Sequence, residues 1–175
     1  RYLDYMAKVR SGIHNRTPIV QGDDLTSAGA YTGDIYPKGA WVLHMLRWLV
    51  GDEQFFEIVW RFANDEAFAY GFVETEDLIA LVAEVSGGDD LDWFWDTYVF
   101  QAKLPRWSIS RETGPDGDLV RLSWDETGFE MPLPIRVGEE IRRVDMTGGT
   151  AEFEVSSGQP VEVDPEGWVL ALGGR

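Results

Sequence analysis

The hydrophobic period of this chain changes once, at Leu104-Pro105, and that change limits the folds open to it. Up to about Gln101 apolar residues recur at helical spacing, and beyond Pro105 they alternate with polar ones. A 3.6-residue period buries one face of a helix, whereas a two-residue period buries one face of a strand. A uniform architecture is excluded. We expect an α+β protein in two parts, a mostly α-helical bundle over residues 1–104 followed by a small antiparallel β-sandwich over residues 105–175.

The helical part opens inside an amphipathic pattern of Tyr2, Tyr5, Met6, Val9 and Ile13, with no initiator methionine, as in a piece of a longer protein. The next helix follows from "GDIYPKGAWVLHMLRWLV", residues 33–50. Pro37 has no N–H and a fixed φ, so it suits the first helical turn and pushes Tyr36 into an extended conformation just outside. Val42, Met45, Leu46 and Leu49 make one apolar face, while Trp41, Leu43 and Trp48 fill the others. Such a helix is expected to be buried nearly all round. Gly51-Asp52 starts a third helix with a stripe of Phe55, Ile58, Val59 and Phe62. A fourth is capped by Thr75 and stopped by Ser86-Gly87, and a fifth is capped by Asp89 or Asp90 and buries Leu91, Phe94, Trp95 and Tyr98.

Beyond Pro105, "RWSISRE", "DLVRLSWDE", "LPIRV", "AEFEVS" and "WVLAL" read as short strands of a sandwich of six or seven. Turn signals in "TGPDGD", "TGG", "SSGQP" and "DPEG" separate them.

The formal charge of −16 makes nucleic acid and anionic membrane poor partners. Without cysteine the chain has neither disulfides nor thiolate metal sites, and since such a chain is stable in either redox environment the compartment stays open. No apolar run approaches the roughly 20 residues of a membrane helix, so we expect a soluble protein with no membrane insertion.

Few residues are placed for chemistry. His14 and His44 fall on different predicted elements, too far apart for a paired-histidine metal motif. His44 reads as a core or groove histidine and His14 as a surface one. The pairs Asp23-Asp24, Asp89-Asp90 and Glu139-Glu140 fall in turns and caps, where carboxylates serve the backbone. Trp93, Phe94, Trp95 and Tyr98 read as core rather than as a binding platform. A nucleophilic-serine elbow and a phosphate loop are both missing from the sequence. That leaves Tyr36, which on composition alone is a structural tyrosine at a helix start.

The segment "IYPKGAWVLHMLRWLVGDEQFFEIVWRF" resembles the Tyr-x-Lys-Gly segment and following helix of the zinc aminopeptidase (gluzincin) family of aminopeptidase N and leukotriene A hydrolase. The likeness continues in order through Phe55 and Phe56, Thr75 to Leu78, Ser86-Gly87, and the aromatic helix with Trp95, Tyr98, Gln101, Lys103 and Pro105. "VEVDPEGWVLAL" is similar to the closing strand of the β domain in short bacterial members. Lys103 stands where a glycine is usual and Tyr98 where a tryptophan is usual, both near the expected domain hinge.

The resemblance implies that residues 1–104 are the C-terminal part of a thermolysin-like catalytic domain and residues 105–175 its β domain. In this family a zinc-bound water attacks the peptide carbonyl, and the tyrosine of Tyr-x-Lys-Gly stabilises the resulting oxyanion, which makes Tyr36 the candidate catalytic residue. Tyr31, five residues upstream, is the candidate substrate-binding residue of the same cleft. Lys38 and Gly39 read as structural, the glycine allowing close helix approach. The family's His-Glu-x-x-His zinc motif and Gly-x-Met-Glu-Asn segment are not found in this sequence. The implied parent is a zinc aminopeptidase acting on peptides, while this piece alone is expected to bind no zinc and to be inactive. Its implied partners are the missing N-terminal half of the same protein and, through exposed apolar surface, further copies of itself. The alternative is a non-catalytic scaffold of aminopeptidase-like fold.

Overall fold

The computed structural model describes residues 2–22, 25–31, 34–88 and 90–173. Two compact units make up the chain, one of Gly12–Ala102 and one of Arg1–Ser11 with Lys103–Arg175. The architecture is α+β, with helices in the first unit and strands in the second.

The helical unit contains α2 (Ser27–Ala30), α3 (Ile35–Val50), α4 (Asp52–Asn64), α5 (Thr75–Val85) and α6 (Asp92–Tyr98). Its core is Trp41, Val42, Met45 and Leu46 of α3, Ile58 of α4, Leu81 and Val82 of α5, and Phe94, Trp95 and Tyr98 of α6. Complete burial of a large apolar side chain stabilises by about 1.5–3 kcal/mol, and burial concentrates on α3 and α6. Before α2 the chain is tied to the end of α6, where Ile19 and Val20 donate backbone hydrogen bonds to the Val99 carbonyl at 2.9 and 3.1 Å.

Several expectations shift in detail. Helix α3 begins at Ile35, so Tyr36 lies inside its first turn rather than outside it. A proline at the third helical position breaks no backbone bond, because the first four N–H groups have no intrahelical acceptor. Nor is α3 buried all round, since Tyr36, Ala40 and Leu43 share an exposed face. On α4, Ile58 is buried but Val59 is exposed beside Phe56 and Trp60. Helix α5 is capped by Glu74 rather than Thr75, because Asp77 reaches back to the Glu74 N–H at 2.8 Å in a reciprocal capping box. At α6 the Asp90 carboxylate accepts the Asp92 N–H at 3.1 Å. Asp89 and the pair Asp23-Asp24 lie outside the described residues.

Among the described residues the second unit pairs α1 (Tyr2–Arg10) with the strands β1 (Trp107–Thr113), β2 (Asp118–Trp124), β3 (Leu133–Val137), β4 (Glu140–Val144), β5 (Thr150–Val155) and β6 (Val161–Val163). They form two antiparallel sheets, ordered β1-β2-β5 and β4-β3-β6. The alternation of β2 buries Val120, Leu122 and Trp124. The Trp124 indole N–H donates to the Met131 carbonyl at 2.9 Å, and its ring meets Phe129 edge-on. Helix α1 belongs with the strands rather than the helices: Arg10 donates to the Ala171 carbonyl, and the Tyr2 and Trp168 rings lie 6.5 Å apart.

The segment "WVLAL" is not a strand, and β6, just before it, pairs with β3. Asp164 adopts a positive φ, and its carboxylate accepts the N–H groups of Trp168 and Val169 at 2.6 and 3.0 Å. That turn leads the chain out of the sheet, with Val169, Leu170 and Ala171 buried and only Leu172 bridging to Arg106. Burial, opposed by those two N–H groups and the Arg10 charge, holds the Asp164 carboxyl above its ordinary range.

Between β1 and β2, Gly117 has a φ of 156° and approaches the backbone so closely that a Cβ would lie 2.8 Å from the Val155 carbonyl oxygen. Gly117→Ala is expected to destabilise this unit by roughly 1–3 kcal/mol. Urea denaturation followed through the Trp124 indole N–H resonance checks it, and an unchanged midpoint contradicts the close approach.

Candidate functional site

The start of α3 carries two buried charged groups. Asp34 precedes the helix and is 4% exposed; Lys38, one turn on, is fully buried. The Asp34 side chain does not cap its own helix. It accepts the backbone N–H of His14 at 2.6 Å and of Arg16 at 3.0 Å, one on each carboxylate oxygen. Between them Asn15 adopts a φ of 51°, a left-handed conformation that asparagine tolerates better than most residues. The Asn15 side-chain amide donates to the Ala102 carbonyl.

Burial raises the carboxyl's affinity for protons, but the Arg16, His14 and Asn15 N–H groups outweigh it, and Asp34 titrates below its ordinary range. Lys38 sits one helical turn away, and its backbone N–H donates to the Asp34 carbonyl at 2.9 Å. Its ammonium donates to the Gln101 carbonyl at 2.8 Å. Burial pushes Lys38 below its ordinary range, and the Asp34 charge opposes that shift.

Tyr36 lies between these two residues in sequence and opposite them on the helix, because two residues advance about 200°. It is 67% exposed, as is Tyr31, and the two rings stand 6.3 Å apart at 35°. Along the same face Gly39 and Leu43 line an apolar groove of about 360 Å³, completed by Ile19, Val42, Phe62 and Leu78 among others. A Cβ on Gly39 would meet nothing within 4 Å, so this glycine opens the groove rather than permitting a close helix contact.

The histidines stand apart. His14 is exposed, while His44 is buried with its ring edge-on to Trp41 at 5.1 Å. Among the described residues no three His, Cys, Asp or Glu side chains group to hold a metal ion. No helix among them is long and apolar enough to cross a membrane. Trp95 and Tyr98 are core, as the helical spacing suggests. Asp34 escaped the sequence reading because it looks like an ordinary cap; its one signal is the Asp-Lys pair at i, i+4 opening a largely apolar helix.

The chain superimposes on the crystal structure of Legionella pneumophila aminopeptidase A in complex with aspartic acid, with a TM-score of 0.78 and 18% identity. The match covers 100% of this chain and 21% of that one, so the chain spans about a fifth of its solved relative. No curated protein matches by sequence. The model of the peptidase family M1 domain matches residues 5–98, and the chain belongs to that family.

Because Asp34 has a lowered pKa, its stabilising contribution is complete above the unfolded carboxyl's pKa of 3.8 and is lost as pH falls through the lower folded value. Amide exchange at His14 and Arg16, corrected for intrinsic rates, is expected to accelerate as pH drops below about 4. In Asp34→Asn the protection is expected to be low and independent of pH. Protection that stays constant down to pH 2 in the unsubstituted chain contradicts the assignment.

Proposed function

We propose that this chain is the C-terminal part of the catalytic domain, with the following β domain, of a zinc-dependent aminopeptidase that removes N-terminal residues from peptides. Tyr36 supplies the hydrogen bond that stabilises the oxyanion of the tetrahedral intermediate, and Tyr31 contacts the substrate beside it. One observation carries this reading: in a chain of the M1 family, the Tyr36 phenol is presented outward from a helix start whose opposite side is locked into the core.

The chemistry asked of Tyr36 is modest and specific. A phenol is a neutral O–H donor at neutral pH. Aimed at the carbonyl oxygen, it meets little charge in the bound peptide and a full negative charge in the intermediate, so it favours the transition state over the ground state. Donors of this kind contribute most when they need no reorganisation, and the anchored first turn of α3 fixes the backbone from which the phenol projects. The Tyr31 ring limits where Tyr36 can swing, and the groove beginning at Gly39 offers apolar surface along the same face.

The described residues of this chain do not fit a zinc site, since His14 is exposed and His44 is packed against Trp41. In this reading the metal's ligands belong to the rest of the parent protein. Exposed Phe56, Val59, Trp60, Tyr70 and Phe72 on the helical unit give the isolated chain apolar surface through which copies associate.

In the parent enzyme, Tyr36→Phe is expected to lower kcat by roughly 10²–10³ while KM stays within a few-fold, as for other single oxyanion donors. Steady-state kinetics on a peptide substrate checks this, and a Phe variant of undiminished kcat rules out the oxyanion role. The isolated 175-residue chain is expected to hold no stoichiometric zinc, to hydrolyse no aminoacyl reporter and to self-associate. Elemental analysis showing one zinc per chain, or metal-dependent hydrolysis, overturns the division of labour between this piece and its parent.

A further inference from the structure

Two buried charges flank the first turn of α3, and neither is needed to hold an apolar helix in a core. Asp34 and Lys38 are 4% and 0% exposed. Taking a carboxylate and an ammonium out of water is costly, and well-packed apolar residues at such places often leave a protein equally stable or more so. Ionised hydrogen-bonding groups provide direction, because charge-assisted bonds are short and geometrically demanding. Here they reach two segments remote in sequence that themselves meet where the Asn15 side chain bonds the Ala102 carbonyl. Asp34 grips the backbone of residues 14–16, while Lys38 grips the Gln101 carbonyl beyond the end of α6. The helix start is thus fixed at two points along one edge, four residues apart, and Tyr36 projects from the other side between them.

We infer that Asp34 and Lys38 are positioning residues for the Tyr36 phenol: they set the height and rotation of the first turn of α3 rather than the stability of the bundle. This rests on the reading of Tyr36 as the oxyanion donor. An oxyanion bond requires the donor within about 3 Å of one oxygen, and a misplacement of about 1 Å costs on the order of 10²-fold in rate. Losing the Lys38 bond frees the helix start to shift or rotate on its buried side. The effect reaches the reaction only through the phenol.

The test is a double-mutant cycle in the parent enzyme. Lys38→Met keeps the length and apolar stem of the side chain and removes the ammonium. Its kcat, measured well below its melting temperature where circular dichroism shows it fully folded, is expected to fall by roughly ten- to a hundredfold, with KM within twofold. In a Tyr36→Phe background the same substitution is expected to lower kcat no further. An equal fall in both backgrounds overturns the inference, because Lys38 then acts independently of the phenol. A slow Tyr36→Phe enzyme beside a full-speed Lys38→Met enzyme removes this inference alone. A Tyr36→Phe enzyme of normal kcat removes the oxyanion reading and this one together. Should Lys38→Met fail to fold, Asp34→Asn carries the same cycle; if neither folds, the pair is a stability device and the inference is wrong.

Discussion

The ammonium of Lys38 has to find an acceptor inside a core, and the organisation of the helical unit follows from where it finds one. Its partner is the Gln101 carbonyl, reached only because α6 ends beside the start of α3. Its nearest counter-charge, Asp34, is held by the backbone of residues 14–16. Three stretches remote in sequence therefore converge on one helical turn. The apolar surfaces of Trp41, Met45, Phe94 and Tyr98 supply most of the burial, but such contacts are non-directional. The charged bonds select one register for α3 among the several that a greasy helix admits.

In the proposed function, the chemistry from that turn is a matter of access. A phenol in the core would have nothing to act on, and one on a mobile loop would lose its donor geometry at each encounter. Tyr36 avoids both, being exposed on a helix whose reverse face is anchored. Tyr31 beside it and the groove from Gly39 to Leu43 extend the same surface. Membership of the M1 family gives this arrangement a context, and the shared architecture with an aminopeptidase of 18% identity shows the fold tolerates wide sequence change.

Much of the fold was legible in the amino-acid order because the two hydrophobic periods are unambiguous. The helices from Ile35 to Tyr98 and the strands β1, β2, β3 and β5 follow from pattern alone. The failures have physical causes. Strand β4, Glu140–Val144, is nearly all exposed and so carries little alternation, and β6 spans only three residues. "WVLAL" has the composition of a strand but is diverted by the Asp164 turn, a side-chain-to-backbone device that hydrophobicity does not encode. Helix α1 reads as one more helix of the bundle, because amphipathic spacing says which face is buried and nothing about against what. At the site, Tyr36 drew notice through its motif. Asp34 did not, because a carboxylate before a helix is so commonly a cap that its tertiary role shows only when its acceptor atoms are followed to His14 and Arg16.

The central claim concerns the position of one phenolic oxygen, so the most direct measurement is a crystal structure of the parent enzyme with a phosphinic peptide mimicking the tetrahedral intermediate. The account predicts the Tyr36 phenol oxygen at about 2.5–3.0 Å from one phosphinyl oxygen, with α3 in the register described above. A phenol turned away from that oxygen, or held more than about 4 Å from it with the inhibitor fully bound, contradicts the account.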